Sequence, residues 1–300
     1  MDDSRKPLSE SRSGYLLLVP LLFVIVVFSV YPVVYSLVLS LYQIILGLPS
    51  LGEKFVGLGN YHAFFTDPVA INSLLTTVIF VGVSTLFEIA LGLILALTIN
   101  EAFRFRGLVR TAILVPWAIP TVIASQMWRL GFNDQSGVVN YIIFGSRVED
   151  YEAWLSYPYV ALAAIIIADV WKTSSFAALI ILAGLQNIPD ELYEAARIDG
   201  ANAWARFWQI TLPLVKPAIL VALLFRTMDA FRVFDLVFVM TQGGPGDATN
   251  VLQFFGYKKM FAEGMIGYGA TVSAVVFALV LLVSLFYIKY FGAALLEERR

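Results

Sequence analysis

The sequence predicts an all-α polytopic membrane protein with six transmembrane helices, on the basis of two observations. Of its 300 residues, 59% are hydrophobic and only 14% are charged, and the mean hydropathy is +0.80. A soluble domain is about 45–50% apolar and about 25% charged, so this chain has more apolar surface than one core can bury. The apolar residues also fall into stretches of roughly 20, the length that a helix needs to cross a bilayer.

The apolar stretches define the spans in chain order. The first, Tyr15–Leu39, is far longer than the apolar core of a signal peptide, so we predict a helix that is retained. Residues 1–14 and 292–300 are then tails, and residues 15–291 form one membrane domain. The other five spans are predicted at Ile71–Ile99, Leu108–Trp128, Tyr157–Leu185, Pro217–Met240 and Met265–Ile288.

Lysine and arginine residues predict the orientation, because cytoplasmic loops carry more of them. With the N-terminus inside, twelve of the 20 fall on the inner side and five on the outer side, and the rest lie inside spans. Both termini are therefore expected in the cytoplasm. The five outer residues are Lys54, Arg129, Arg147, Lys258 and Lys259.

Several classes of function are excluded by composition. The chain has no cysteine and a single histidine, His62, which excludes thiolate and multi-histidine metal sites. No lysine follows a glycine, so there is no Walker A loop to bind ATP phosphates. A net charge of −2 and a pI near 5.5 give no sign of nucleic-acid binding.

Segment 187–213, on the predicted inner side, has the pattern of a helix–turn–helix. Asn187 is placed to cap the first helix, and the acidic side chains of Asp190 and Glu191 suit its first turn. Gly200 suits the left-handed residue that ends such a helix. A second short helix with aromatic residues follows and leads into the fifth span.

This segment resembles the membrane subunits of binding-protein-dependent ABC importers. Their signature is Glu-Ala-Ala, three residues, Gly, nine residues, Ile, one residue, Leu-Pro, and all seven fixed positions match. The surrounding Ala-Arg-Ile-Asp-Gly-Ala, together with Val56–Tyr61 and Gly243–Gly246, is similar to the carbohydrate-uptake branch of maltose and trehalose type. The resemblance extends from Tyr15 to Phe291. The matching residues are Glu194, Ala195, Ala196, Gly200, Ile210, Leu212 and Pro213.

The resemblance implies that segment 187–213 is a coupling helix seated in a cytoplasmic ATPase subunit. Small side chains at Ala195 and Ala196 would permit close seating, Glu194 and Asp199 would supply charge, and Gly200 would set the turn. The alternative is an amphipathic helix that rests on the membrane interface.

The resemblance also implies a multi-pass protein of the prokaryotic plasma membrane that is not itself an enzyme and holds no cofactor. ATP and Mg²⁺ would belong to two ATPase partners. The further partners implied are a homologous second permease subunit, an extracytoplasmic sugar-binding protein and membrane lipid.

Ionisable residues inside the spans are costly and indicate either a pathway or a buried pair. The fifth span carries Arg226, Asp229, Arg232 and Asp235 at intervals of three, so neighbours lie side by side on one helix. The ladder either neutralises itself or lines a wet cavity in which sugar hydroxyls find hydrogen-bond partners. Two aromatic rings for stacking on a sugar lie nearby, Phe231 and Phe234.

The fourth span carries a second pair, Asp169 and Lys172, beside an aromatic and hydroxyl group consisting of Trp171, Thr173, Ser174 and Ser175. These residues either form a surface that binds a neutral polyol, or their hydroxyls donate hydrogen bonds to helix backbone, as most hydroxyls inside spans do. Glu88 is alone in the second span and either pairs with an arginine of another helix or carries a proton.

The hypothesis that unites these observations is a non-enzymatic permease subunit for a sugar, with an α-glucoside such as trehalose or maltose preferred. Two alternatives remain open within transport: a proton-coupled carrier that uses Glu88 and the charged ladder of the fifth span, and an ABC permease for substrates of the glycerol-3-phosphate type. An intramembrane enzyme built on Asp169, Asp229 and Asp235 is the weakest interpretation, because their spacing matches no reactive arrangement.

Overall fold

The computed structural model describes residues 10–46, 53–101 and 103–297, so residues 1–9 and 298–300 of the two predicted tails lie outside the described residues. Within the described residues the chain is mainly helical with very little strand, which confirms the predicted fold class. The α-helices are α1 Glu10–Ile25, α2 Tyr31–Leu39, α3 Gly59–Thr66, α4 Pro68–Asn100, α5 Arg106–Ala118, α6 Thr121–Gly131, α7 Val138–Phe144, α8 Pro158–Leu185, α9 Asp190–Ile198, α10 Ala203–Arg206, α11 Leu212–Ala230, α12 Asp235–Met240, α13 Leu252–Tyr257 and α14 Ile266–Glu297.

Other secondary structure is short. π-helical segments at Val26–Val30, Phe207–Thr211 and Lys258–Ala262 join or extend α-helices, and 3₁₀ turns form at Val148–Asp150 and Trp154–Ser156. Two strands, β1 Tyr42–Gln43 and β2 Lys54–Phe55, pair antiparallel after the first span.

Five helical stretches of the described chain are long and apolar enough to cross a membrane. A bent pair of helices, α5 and α6, gives a sixth when the two are counted as one span. Asp67 caps the second stretch by accepting a hydrogen bond from the Val69 amide at 2.8 Å. The last helix, α14, continues to Glu297 and enters the segment predicted as a tail. The five stretches are Leu17–Leu39, Pro68–Asn100, Pro158–Leu185, Ala203–Ala230 and Ile266–Lys289.

The third span is not the continuous helix that the sequence predicted. It consists of α5 and α6, whose axes differ by 91°. Proline lacks an amide proton and disfavours helical conformation in the residue before it. Ile119, which precedes Pro120, is accordingly extended, with φ −70° and ψ 130°. Pro116, by contrast, lies inside α5 without ending it.

The fifth span was predicted too far along the chain. Its helix occupies Ala203–Ala230 and breaks at residues 231–234 before α12 begins. The break lets the buried side chains of Leu236, Val237 and Met240 join the cluster that contains Phe132, at the end of α6. Burial of this apolar surface favours the turn, although no glycine or proline marks it in the sequence.

Small residues bring the central helices together. A Cβ atom on Gly92 of α4 would lie 2.8 Å from the Cβ of Ala177 on α8. A Cβ atom on Gly184 of α8 would lie 2.4 Å from that of Ala218 on α11. Such close backbone approach is typical of packing between transmembrane helices. The three helices α4, α8 and α11 therefore form one tightly packed unit.

Candidate functional site

The predicted helix–turn–helix is present and ends its first helix as the sequence indicated. Gly200 has φ +82°, and its amide donates to the carbonyl oxygen of Arg197 at 3.1 Å. The next amide, of Ala201, donates to the carbonyl oxygen of Ala196 at 2.8 Å. These two bonds form a Schellman motif, which satisfies carbonyl groups at the end of α9. A glycine is needed here because a side chain disfavours the left-handed conformation.

The predicted cap at the start of this segment is wrong. Pro189 is the N-cap residue of α9, and Asn187 instead donates its side-chain amide to the carbonyl oxygen of Ala183 at 3.0 Å. The residue before a proline avoids the helical region, so the new helix begins only after Pro189. The second helix, α10, is capped by Asn202, whose side chain accepts from the Ala205 amide at 2.8 Å.

The helix–turn–helix presents a surface that nothing else in the described chain covers. Ile198 is 88% exposed and Trp204 is 70% exposed, and α9 lacks buried residues. Tyr193 ties the segment to the base of the fifth span by a hydrogen bond of 3.0 Å to Thr211. Among the residues of the importer signature and Asp199, those exposed are Glu194, Ala195, Asp199, Gly200 and Pro213, and those half-buried are Ala196, Ile210 and Leu212.

A second group of predicted residues meets around one buried arginine. Arg226 of α11 donates two hydrogen bonds to the carboxylate of Glu88 on α4, at 2.6 and 3.0 Å. A third bond reaches Asp229, one helical turn further, at 2.6 Å. The side chain of Glu88 is fully buried and that of Arg226 is 4% exposed, whereas that of Asp229 is 62% exposed. The network therefore runs from the packed interior into a solvent-accessible space.

The network also includes α8. Asp169 lies 3.6 Å from the guanidinium of Arg226, so its ion pair is with another helix rather than with Lys172 on its own. The Lys172 amine instead donates to the backbone carbonyl of Trp117 at 3.3 Å. That carbonyl is available because the helix pattern stops at the bend between α5 and α6. Glu88 pairs with an arginine of another helix, which was the first of its two predicted interpretations.

The side chain of Asp229 borders a cavity of about 300 Å³ that is lined by residues of α5, α6, α8, α11, the bend at 231–234 and the start of α12. We call it the charged cavity. Its polar groups include carboxylates, two guanidinium groups, an amine and two hydroxyls, so it offers both donors and acceptors. Five residues predicted for the substrate pathway line it, namely Lys172, Asp229, Arg232, Phe234 and Asp235.

The other four predicted pathway residues lie elsewhere. Trp171 faces an apolar groove and contacts Trp128 edge to face, with ring centroids 5.7 Å apart. Ser174 donates to the carbonyl oxygen of Val170, and Ser175 donates to that of Ile113 at 2.5 Å. Phe231 is 5% exposed and belongs to the apolar core. The two serines thus follow the interpretation in which hydroxyls inside spans bond helix backbone.

The prediction that four charges form a ladder on one helix is confirmed only for the first pair. Arg226 and Asp229 bond each other on α11, but the break at 231–234 removes Arg232 and Asp235 from that helix. Both still reach the charged cavity, through the bend and the start of α12. Five lining residues were not predicted: Trp117, Thr121, Ala230, Val233 and Leu236. Pro120, at the break between α5 and α6, was the signal for Trp117 and Thr121. A break inside a membrane exposes polar backbone that must line a cavity or be buried.

The apolar bundle, its polar cavity and its exposed helix–turn–helix describe an α-helical membrane protein. The family model of the binding-protein-dependent transport system inner membrane component matches residues 88–297. The chain therefore belongs to this family of ABC transport permeases, and its role is non-enzymatic.

Curated relatives match over almost the whole chain. The trehalose/maltose transport system permease protein MalF of Thermococcus litoralis is 43% identical over 280 residues, covering 93% of this chain and 94% of the relative. The trehalose transport system permease protein SugA of Mycobacterium tuberculosis is 39% identical, covering 96% and 91%.

The fold is also that of a solved transporter chain. A chain of a bacterial alginate ABC transporter, in complex with an alginate pentasaccharide-bound periplasmic protein, superposes with a TM-score of 0.79. It is 23% identical, with 92% of this chain and 93% of that chain covered. The likeness therefore concerns the fold.

Proposed function

We propose that this chain forms half of the translocation pathway for a sugar, with an α-glucoside disaccharide such as trehalose or maltose as substrate. The single observation that carries the proposal is the charged cavity, a polar space inside a membrane bundle at which residues of α8, α11 and α12 converge. The names of the relatives support the choice of trehalose or maltose.

The remaining parts of the transporter follow from this division of labour. A homologous permease subunit would complete the pathway, and an external binding protein would deliver the sugar. Two cytoplasmic ATPase subunits would bind ATP and Mg²⁺, since this chain has no Walker A loop. The orientation that places segment 187–213 beside those subunits also places both termini in the cytoplasm.

The coupling role of segment 187–213 is supported by its exposure. A helix that carries an 88% exposed isoleucine and a 70% exposed tryptophan beside it leaves apolar surface for a partner to cover. Tyr193 and Thr211 connect that surface to the helix that bears Arg226. Movement of a partner against α9 would thus be transmitted to the wall of the charged cavity as a rigid-body shift.

The experiment is sugar uptake into proteoliposomes that contain the complete transporter, with labelled trehalose and maltose. We expect uptake that requires ATP inside and the binding protein outside, and that a proton gradient alone does not drive. Asp229→Asn should reduce uptake, whereas Asp134→Asn, at an exposed position outside the spans, should not. Uptake driven by the proton gradient without ATP would refute the proposal in favour of a proton-coupled carrier.

A further inference from the structure

A second cavity, of about 350 Å³, lies on the other side of the bend at residues 231–234. We call it the aromatic cavity. Its walls come from the bend, from α13 with the π-helical segment that follows it, and from the first turns of α14. Its lining includes Arg232, Phe234, Gln253, Tyr257 and Phe261.

The two cavities share part of their walls. Arg232 and Phe234 line both the charged cavity and the aromatic cavity. Both residues belong to the non-helical bend, so one face of this short segment borders each space. The two cavities are therefore neighbours, with the bend between them.

The aromatic cavity lies at the end of the bundle opposite segment 187–213. The fifth span begins at that segment and ends at the bend, and α14 begins at the bend's end of the bundle. In the proposed orientation, the aromatic cavity is the outer of the two. A substrate released by an external binding protein would reach it first.

The rings in this cavity form a connected group. Phe234 and Tyr257 meet edge to face with centroids 5.1 Å apart, and Tyr257 and Phe261 are 5.3 Å apart. Tyr257 is 37% exposed and Phe261 is 69% exposed, so ring surface remains open. The apolar C–H face of a pyranose carries a partial positive charge that suits the negative face of an aromatic ring. Arg232 and Gln253 add hydrogen-bond donors, and Gln253 an acceptor, for the ring hydroxyls.

We propose that the aromatic cavity is a second sugar subsite, which takes a neutral pyranoside before it passes the bend into the charged cavity. The proposal rests on the proposed function and names a binding place that the charged cavity does not include. Its volume, like that of the charged cavity, is at the lower end of the range of small-molecule sites. Two small sites in sequence, rather than one large one, would admit the sugar stepwise.

The test uses the complete transporter in proteoliposomes and compares Phe261→Leu and Tyr257→Leu/Phe261→Leu with the original protein. Loss of both rings should lower uptake at limiting loaded binding protein about tenfold, because it removes the two aromatic faces on which the sugar would stack. Basal ATP hydrolysis should be unchanged. Phe65→Leu, a change at another ring that is 59% exposed, is the matched control. Tyr257→Phe, which keeps the ring, should retain most uptake.

The outcomes test the second subsite and the proposed function separately. Normal uptake by the double variant, in a transporter whose original form transports trehalose, would overturn the second subsite while leaving the proposed function intact. Absence of ATP-driven uptake by the original form would instead refute the proposed function. Should the double variant fail to assemble, Phe261→Leu alone decides, because its exposed ring contributes little to folding; unchanged uptake by it overturns the proposal.

Discussion

Replacement of Glu88 by alanine should destabilise the bundle far more than replacement of any exposed acid. The substitution removes both hydrogen bonds, of 2.6 and 3.0 Å, that a fully buried carboxylate accepts from Arg226. Removing one partner of a buried ion pair costs about 3–5 kcal/mol. Because Asp229 at 2.6 Å and Asp169 at 3.6 Å still face the guanidinium, we expect the lower end, about 3 kcal/mol.

The assay is the free energy of unfolding of the purified chain, measured by titration with a denaturing detergent in mixed micelles. Asp229→Ala is the control, because its carboxylate bonds the same arginine but is 62% exposed and should cost about 1 kcal/mol or less. A double-mutant cycle with Arg226→Ala should show strong coupling to Glu88. Equal costs for Glu88→Ala and Asp229→Ala would refute the argument that burial makes this pair strong.

Three further predictions concern positions where backbone or packing leaves little freedom. Gly200→Val should leave the protein in the membrane but separate ATP hydrolysis from sugar uptake, and normal uptake by this variant would contradict the proposed coupling role. Gly145→Val, also at positive φ in open space but outside segment 187–213, should leave ATP hydrolysis and uptake coupled. Gly184→Ala should lower the unfolding free energy by about 1–3 kcal/mol, because a Cβ atom there would collide with a side chain of α11. Gly82→Ala, which has open space around it, should leave the unfolding free energy unchanged, and equal stability of the two variants would argue against the close packing. Asn140→Ala should increase proteolytic cleavage of segment 133–154, since this buried amide bonds two backbone carbonyl groups, a backbone amide and an indole; an unchanged cleavage rate would contradict this role.

Local chemistry explains which parts of the fold could be predicted. Spans follow from the count of consecutive apolar residues, since backbone in lipid must satisfy its own hydrogen bonds and does so as helix. The end of α9 followed from one residue type, because only glycine takes the conformation of Gly200 without steric cost. The prediction failed where the same residue type has different effects at two positions. The predicted span Leu108–Trp128 contains both Pro116 and Pro120, yet only Pro120 breaks the helix.

The candidate site was predicted in part for a similar reason. Spacing of three residues placed Asp229 next to Arg226 correctly, because both belong to one helix. The same spacing gave a wrong neighbour for Arg232, because the chain turns after Ala230 without a glycine or proline to mark the turn. Phe231 was predicted for the substrate pathway but belongs to the apolar core, since the turn directs it there.

The sequence by itself determined that this chain is a helical membrane protein, where most of its spans lie, and that a helix–turn–helix segment interrupts them. Each of these properties depends on residues that are close together along the chain, and on the solvent in which they must be stable. Only the tertiary structure decided that Glu88 and Arg226, 138 positions apart, share two hydrogen bonds, and that a bend joins two cavities. Those arrangements depend on which helices pack against each other, and a buried charge selects its partner from the groups that packing brings within a few ångströms.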